Sequence, residues 1–268
     1  MVVAIAASKK DPAALNIAEK LLENYGFKEA EFKGLRVHRR GNALLLFIEE
    51  EGPYAESLDQ IFNLKAIIFA SRHEAESGKP TLTVHAPGNL TSRAEHGGKP
   101  KELAVADPKR MRNALLTLSA KREELGLSFD VCLEATHHGP TGMACPVLFI
   151  EIGSSSREWK DPKAGEAAAE AALAACESQT SGIVSVGFGG GHYARKHTKA
   201  VLGSNFAVGH ILPKFFFKEF DSAVVKKAFE RNVEPCKTAL VDWKGLKGPD
   251  RAKLIDFLSE NGLEPIKV

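Results

Sequence analysis

The sequence predicts an α/β protein whose sheet is covered by helices on both faces. Short runs of aliphatic and β-branched residues recur along the 268 residues. Between them lie amphipathic stretches of helical length, most of them opened by an Asp-Pro pair or closed by a glycine. Strands that alternate with helices in this way build a layered sheet.

The elements follow in order. Residues 2–7 form a buried-strand run, and Asp11 with Pro12 opens a helix to about residue 25, ended by Gly26. Residues 36–39 and 43–48 read as strands joined by the turn Arg40-Gly41-Asn42. Residues 66–70 are a strand, residues 81–85 alternate into a Pro-Gly-Asn turn, and residues 91–100 are a polar surface loop. Asp107 and Pro108 start a long helix that Gly126 stops. A strand at 129–135, a loop at 137–145, a strand at 147–152 and a serine-rich turn follow. Asp161 and Pro162 open an alanine-rich helix to about residue 178, whose small side chains allow close packing on a sheet. Strands at 183–186, 206–212, 239–242 and 263–268, with helices at 221–231 and 249–260, complete the pattern. No repeat or low-complexity linker interrupts it, so residues 1–268 read as one α/β domain, with the 36–48 hairpin as an elaboration.

Composition narrows the class. A hydrophobic fraction of 44% is enough for a sizeable core. The formal net charge of +2 is too small for whole-protein attraction to a polyanion, so a nucleic-acid partner would need a local basic patch. Lys65, Glu170 and Lys214 interrupt the best candidates for the ~20 apolar residues that cross a membrane. The N-terminal apolar run is short and precedes its lysines, the wrong order for a signal peptide, so the expected location is the cytoplasm. Cys132, Cys145, Cys176 and Cys236 form no C-x-x-C pair and read as reduced, buried thiols. Cys145 has no activating neighbour in sequence. Nothing calls for an oligomer, and a monomer is expected.

The nine histidines carry the chemistry. His85 ends one strand, and His137 and His138 end another. His192 follows a third through a glycine loop, and His210 lies near the end of a fourth. In open α/β sheets, ligands bind beyond the carboxyl ends of the strands, so these side chains are expected to converge on one edge. Glu134 lies three residues before His137, Glu151 is on the next strand, and Asp242 ends a later one. Histidine and carboxylate donors suit Zn²⁺ with an open position for water, and Glu134 or Glu151 could act as general base. Adjacent residues on a strand point opposite ways, so His137 and His138 reach one ion together only if a turn intervenes. His197 is off the spacing that would place it beside His192 on a helix face. His38, His73 and His96 sit in polar contexts and are expected at the surface.

The loop at 187–192 matches neither G-x-G-x-x-G nor a P-loop, so no nucleotide cofactor is expected. Its N–H groups at Gly190 and Gly191 could hold an oxyanion. Basic residues group at Arg36–Arg40, at Lys109, Arg110, Arg112, Lys121 and Arg122, and at Arg195, Lys196 and Lys199. Most such groups are solvated faces. The last follows the glycine loop and would steer a phosphate-bearing substrate to the site, with Lys109, Arg110 and Arg112 as the second candidate.

Four segments stand together: Val84-His-Ala-Pro-Gly-Asn-Leu-Thr, Glu134-Ala-Thr-His-His-Gly-Pro-Thr, Gly187-Phe-Gly-Gly-Gly-His-Tyr and Val208-Gly-His-Ile-Leu-Pro-Lys. The set resembles the archaeal and plant type of D-aminoacyl-tRNA deacylase over nearly the whole chain, and the Glu-Ala-Thr-His-His-Gly-Pro stretch is its most specific part. The resemblance implies a zinc-dependent enzyme that hydrolyses the ester between a D-amino acid and tRNA. It also implies a three-layer α/β/α fold of the phosphorylase/hydrolase-like kind, with a mixed, mostly parallel sheet. Which of His85, His137, His138, His192 and His210 bind metal, and how many ions, spacing leaves open. A zinc aminopeptidase or amidohydrolase would share the metal chemistry without needing the basic entrance. A non-catalytic RNA-binding protein would instead close its metal with four protein ligands.

Overall fold

The computed structural model describes residues 2–177 and 181–268. Its larger sheet contains β1 (Val3–Ser8), β2 (Lys28–Phe32), β3 (Leu35–Arg40), β4 (Ala43–Ile48), β5 (Ala66–Glu74), β6 (Thr81–His85), β7 (Asp130–Leu133) and β8 (Val147–Ser154), in the order β2-β3-β4-β1-β5-β8-β6-β7. The hairpin β3–β4 pairs through β4 with β1 and belongs to this sheet. The remaining strands, β9 (Ile183–Phe188), β10 (Phe206–Leu212), β11 (Thr238–Val241) and β12 (Glu264–Lys267), form a second sheet, all parallel, in the order β10-β9-β11-β12. The strands are thus mixed and mostly parallel with flanking helices, as expected, but they divide between two sheets.

Helices α1 (Pro12–Asn24), α2 (Leu58–Phe62), α3 (Pro108–Glu124), α4 (Ser156–Trp159), α5 (Pro162–Glu177), α6 (Arg195–Gly203), α7 (Ser222–Glu230) and α8 (Gly248–Glu260) cover the strands. Their starts follow from side-chain caps: Asp11, Asp107, Asp161 and Asp221 each accept backbone N–H groups of the first turn. Residue 178, the expected end of the alanine-rich helix, lies outside the described residues. The small residues of α5, Ala164, Ala167, Ala168, Ala171 and Ala172 among them, are fully buried in the core that joins α1, α3 and the large sheet. None of the helices among the described residues is long and apolar enough to cross a membrane.

One feature of the large sheet positions the site. β5 and β8 run parallel, whereas β6 runs antiparallel to β8 and carries β7 with it. The carboxyl ends of β5 and β6 therefore point in opposite directions. The register places Phe69, Phe149 and His85 in one row, Ser71, Glu151 and Thr83 in the next, and His73, Gly153 and Thr81 in the third. Alternation puts all of these odd-numbered residues on one face, while Ile68, Ala70, Leu82, Val84, Ile150 and Ile152 pack into the core on the other. The polar cluster thus lies over the face of the sheet where the two strand directions meet, not beyond a single edge.

Candidate active site

His85 is fully buried at the end of β6, its ring stacked on Phe149 at 5.1 Å with 2° between the planes. Phe149 stacks in turn on Phe69 at 4.8 Å. This pile of rings fixes the imidazole, yet neither of its nitrogens has a hydrogen-bond partner. Beyond β7 the chain extends through Glu134, Ala135 and Thr136, held by hydrogen bonds from Ala135 N–H to the His192 carbonyl and from Thr136 N–H to the Ile211 carbonyl. The same segment ties the two sheets together and draws the His192 loop over the first.

His137 and His138 both face His85, with ring centroids 4.2 and 4.8 Å from it. A turn does intervene: His138 sits at φ 44°, a left-handed conformation in which histidine is enriched among non-glycine residues. His137 Nδ1–H donates to the Ala135 carbonyl at 2.8 Å and His138 Nδ1–H to the Gly139 carbonyl at 2.6 Å. Because a carbonyl only accepts, each ring keeps its Nε2 lone pair free, the arrangement that prepares histidine for metal ligation.

Glu134, fully buried, lies among four imidazoles. Its oxygens are 3.2 Å from His73 Nδ1, 3.3 Å from His192 Nε2, 3.7 Å from His137 Nε2 and 3.8 Å from His85 Nδ1. His73 Nδ1 also meets Glu151 at 3.4 Å, and its Nε2 and the Tyr193 hydroxyl are 2.8 Å apart. Gly153 allows this packing, because a Cβ there would strike the His73 ring and Thr81. Donor atoms gather in three overlapping groups compatible with a cation: His85 with His137 and His138; His73 with Glu134 and His192; and His85 with Glu134 and Glu151.

Electrostatics point the same way. Burial, reinforced by neighbouring histidines, pushes His85 and His137 well below the usual imidazole value, and burial lowers His138 to about 4. Burial alone would raise Glu134, but His192, His137 and His73 outweigh it and keep the carboxyl below its usual value. Burial pushes Glu151 up to about 7. His73 is opposed by burial but raised on balance by Glu151 and Glu134. A buried carboxylate beside His85 and His137, which burial holds neutral, with two unpartnered nitrogens on His85, is costly unless a cation joins it. These residues fit a metal.

The centre opens into a cavity of about 350 Å³, lined by His73, His137, His138, Glu151 and His192, by Asp11 and Arg72, and by the exposed Tyr54 and His96. The structure thus brings together Glu134, Glu151, His85, His137, His138 and His192. It corrects the expectation for His73, which is central and buried; His96 is exposed, as expected, and also lines the cavity. His73 had a signal in the chain, since Ser71 and His73 continue the alternation of β5 past residue 70, where the apolar run stops.

His210 does not join the centre. It is fully buried in β10, with Nδ1 3.2 Å from Thr136 Oγ1 and Nε2 donating to the Ala104 carbonyl at 3.1 Å. Both nitrogens are thereby used in holding β10 to the neighbouring loops. Burial lowers its pKa to about 4. In the unfolded chain the ring titrates near 6.5, so between those values the unfolded state binds more protons and stability falls as pH drops from about 6.5 toward 4. The non-titrating variant His210→Gln is expected to lose less stability over that range than wild type, by up to about 3 kcal/mol. Urea unfolding of both proteins at pH 7 and pH 4.5 measures the difference; equal losses would show that His210 does not titrate with folding.

Arg110 is likewise a correction. It is buried, pairs with Asp107 at 2.9 Å and donates to the carbonyls of Ala175 and Cys176, so it secures α3 to α5 and offers no cation to a ligand. Lys109 pairs with Glu234 at 2.7 Å, and Arg112 donates to the Ser204 carbonyl at 3.0 Å. On α6, Arg195 pairs with Asp130 at 2.9 Å, while Lys196 and Lys199 are exposed. His197 is buried and bonded to the Leu240 carbonyl. Gly190 and Gly191 are not among the cavity's lining residues; the Gly190 carbonyl accepts the Lys214 N–H, and a Cβ on Gly190 would lie 3.3 Å from the Asp242 carboxylate.

A buried histidine–carboxylate centre opening from a mixed α/β frame defines a hydrolase-type enzyme site. The sequence profile of the family described as D-aminoacyl-tRNA deacylase matches residues 61–266. Curated D-aminoacyl-tRNA deacylases of Pyrococcus furiosus and Pyrococcus horikoshii are each 42% identical to the chain, with 98% of both partners covered. That of Methanosarcina barkeri is 37% identical over 99% of this chain and 89% of its own. A crystal structure of a conserved protein of unknown function superposes with a TM-score of 0.90 at 31% identity, covering 99% of this chain and 95% of that one. The chain belongs to the D-aminoacyl-tRNA deacylase family and is a hydrolase.

Proposed function

We propose that this enzyme hydrolyses the ester bond of D-aminoacyl-tRNA at a zinc centre, releasing free tRNA and the D-amino acid, and so serves chiral proofreading in the cytoplasm. Family membership supports the substrate. The observation that carries the metal reading is His85, a buried imidazole with two unpartnered nitrogens beside the buried carboxylate of Glu134.

The residues that would hold zinc are His85, His137, His138 and His192 with Glu134, and His73 completes the donor set. Zinc, when bound, supplies Lewis acidity that makes water a competent nucleophile near neutral pH and polarises an ester carbonyl. The protein's own groups do the rest. Phe149 fixes the plane of His85, and the carbonyls of Ala135 and Gly139 fix the rings of His137 and His138. Glu151, facing the cavity against His73, would accept the proton of the attacking water and return it to the ribose oxygen as the acyl C–O bond breaks, so that the sugar leaves as its hydroxyl. The Tyr193 hydroxyl holds His73 in place from the opposite side. Lys196 and Lys199, on the helix that begins three residues past His192, attract the tRNA backbone.

Removal of metal tests this reading. Dialysis against a strong chelator is expected to abolish deacylation of D-tyrosyl-tRNA, with activity restored by added Zn²⁺ and not by Mg²⁺, whose preference is for oxygen donors. Full activity in a preparation shown by elemental analysis to be metal-free would refute it.

A further inference from the structure

Tyr54 lines the cavity and packs into none of the three apolar cores. It is 50% exposed, and among the described residues it alone of the exposed large apolar side chains lines this cavity. Single exposed apolar residues are ordinary on protein surfaces, but the turn that carries this one is tied down on both sides. In the turn Gly52–Tyr54, Tyr54 N–H donates to the Glu51 carbonyl at 2.9 Å and Ala55 N–H to the Gly52 carbonyl at 3.2 Å. A Cβ on Gly97 or Gly139 would collide with the Pro53 carbonyl, so the turn lies directly against both backbones, and Gly139 follows His138. A Cβ on Gly52 would strike the Phe149 ring, the same ring that supports His85. The tyrosine is therefore clamped to the parts that position the catalytic histidines.

The proposed reaction supplies an occupant, and the inference rests on that reading. In the substrate the scissile ester joins the amino acid to the ribose of the terminal nucleotide. A cavity of about 350 Å³ is at the small end of ligand sites, which run to ~1,000 Å³. It accommodates the aminoacyl ester, so the base on the same ribose is left at the rim. An aromatic face carried on a well-held turn at such a rim is the usual platform for an unpaired nucleic-acid base, because every base has a π-face to stack. The geometry points to Tyr54 as the platform on which the terminal adenine of the tRNA acceptor end stacks while its ester lies over the histidine centre.

The test compares wild type, Tyr54→Ala and Tyr54→Phe on D-tyrosyl-tRNA and on D-tyrosine ethyl ester, which has no base. The alanine variant is expected to raise KM for the tRNA substrate about tenfold with kcat within about twofold. The phenylalanine variant restores KM. The ratio of kcat/KM for tRNA to that for the ethyl ester falls by the same factor in Tyr54→Ala. In a second measurement, 2-aminopurine replaces the terminal adenine of uncharged tRNA, and its fluorescence is quenched on binding to wild type and Tyr54→Phe but not to Tyr54→Ala. An unchanged KM, an equal loss on the ethyl ester, or no quenching by wild type overturns the assignment. Failure of wild type itself to deacylate D-tyrosyl-tRNA overturns the proposed function, and the role of Tyr54 with it.

Discussion

His85→Ala is expected to lower the deacylation rate more than about a hundredfold and to reduce bound metal together with it, because losses of 10–100-fold are typical even for residues that merely support ligands. His85 is the sharpest probe because packing alone does not explain it. A phenylalanine or leucine on Phe149 would fill the row between β6 and β8 without leaving two unpartnered nitrogens in the interior. Glu151→Gln gives the informative contrast. The amide keeps the volume and can still hydrogen-bond, but it cannot take a proton from water, so kcat is expected to fall about 10²- to 10⁴-fold while metal is retained. Elemental analysis and single-turnover deacylation on the two variants, with circular dichroism to confirm folding, separate the roles. Loss of metal from Glu151→Gln would make that residue a ligand instead of a base. Full metal and full rate in His85→Ala would displace the centre from this cluster.

Much of this arrangement is legible in the chain because its signals are local. The aspartates that cap α1, α3, α5 and α7 announce those helices, and the apolar runs of β1, β8 and β10 are recognisable as strands. His85, His137, His138 and His192 stand out because each follows such a run or its turn, and Glu134 because it precedes the histidine pair. Where local signals fail, the structure departs from expectation for identifiable reasons. β2 is a largely exposed edge strand with no apolar run, and α6 starts at Arg195 with Ala194 at its N-cap, whose side chain cannot cap it. The apolar run of β5 stops at residue 70, yet Ser71, Arg72 and His73 continue the strand to Glu74 and bring Ser71 and His73 onto the face of the site. The antiparallel placement of β6 against β8 and the division into two sheets are set by pairing between residues far apart in sequence, which periodicity does not encode. His210 has the residue type and the strand-end position of a ligand. Only its neighbours, Thr136 and the Ala104 carbonyl, reveal that both nitrogens are already committed.

A D-amino acid and its L-isomer differ only in where the side chain and hydrogen point from Cα. Once the ammonium and the ester carbonyl are anchored, one direction remains for the side chain. A pocket open in the D direction accepts side chains of many sizes, and the same anchoring drives the L-isomer's Cβ into the wall. A clash of that kind discriminates more strongly than the roughly 1–3 kcal/mol that one methylene contributes in an apolar pocket. Hydrolysis at the histidine centre should therefore be rapid for D-tyrosyl-tRNA and at least about a hundredfold slower for L-tyrosyl-tRNA. Initial rates on the two matched substrates, with the metal-loaded enzyme, measure this most directly. A ratio of kcat/KM above a hundred in favour of the D-isomer is the predicted result; comparable values for the two would make the protein a general aminoacyl-ester hydrolase and contradict its role in chiral proofreading.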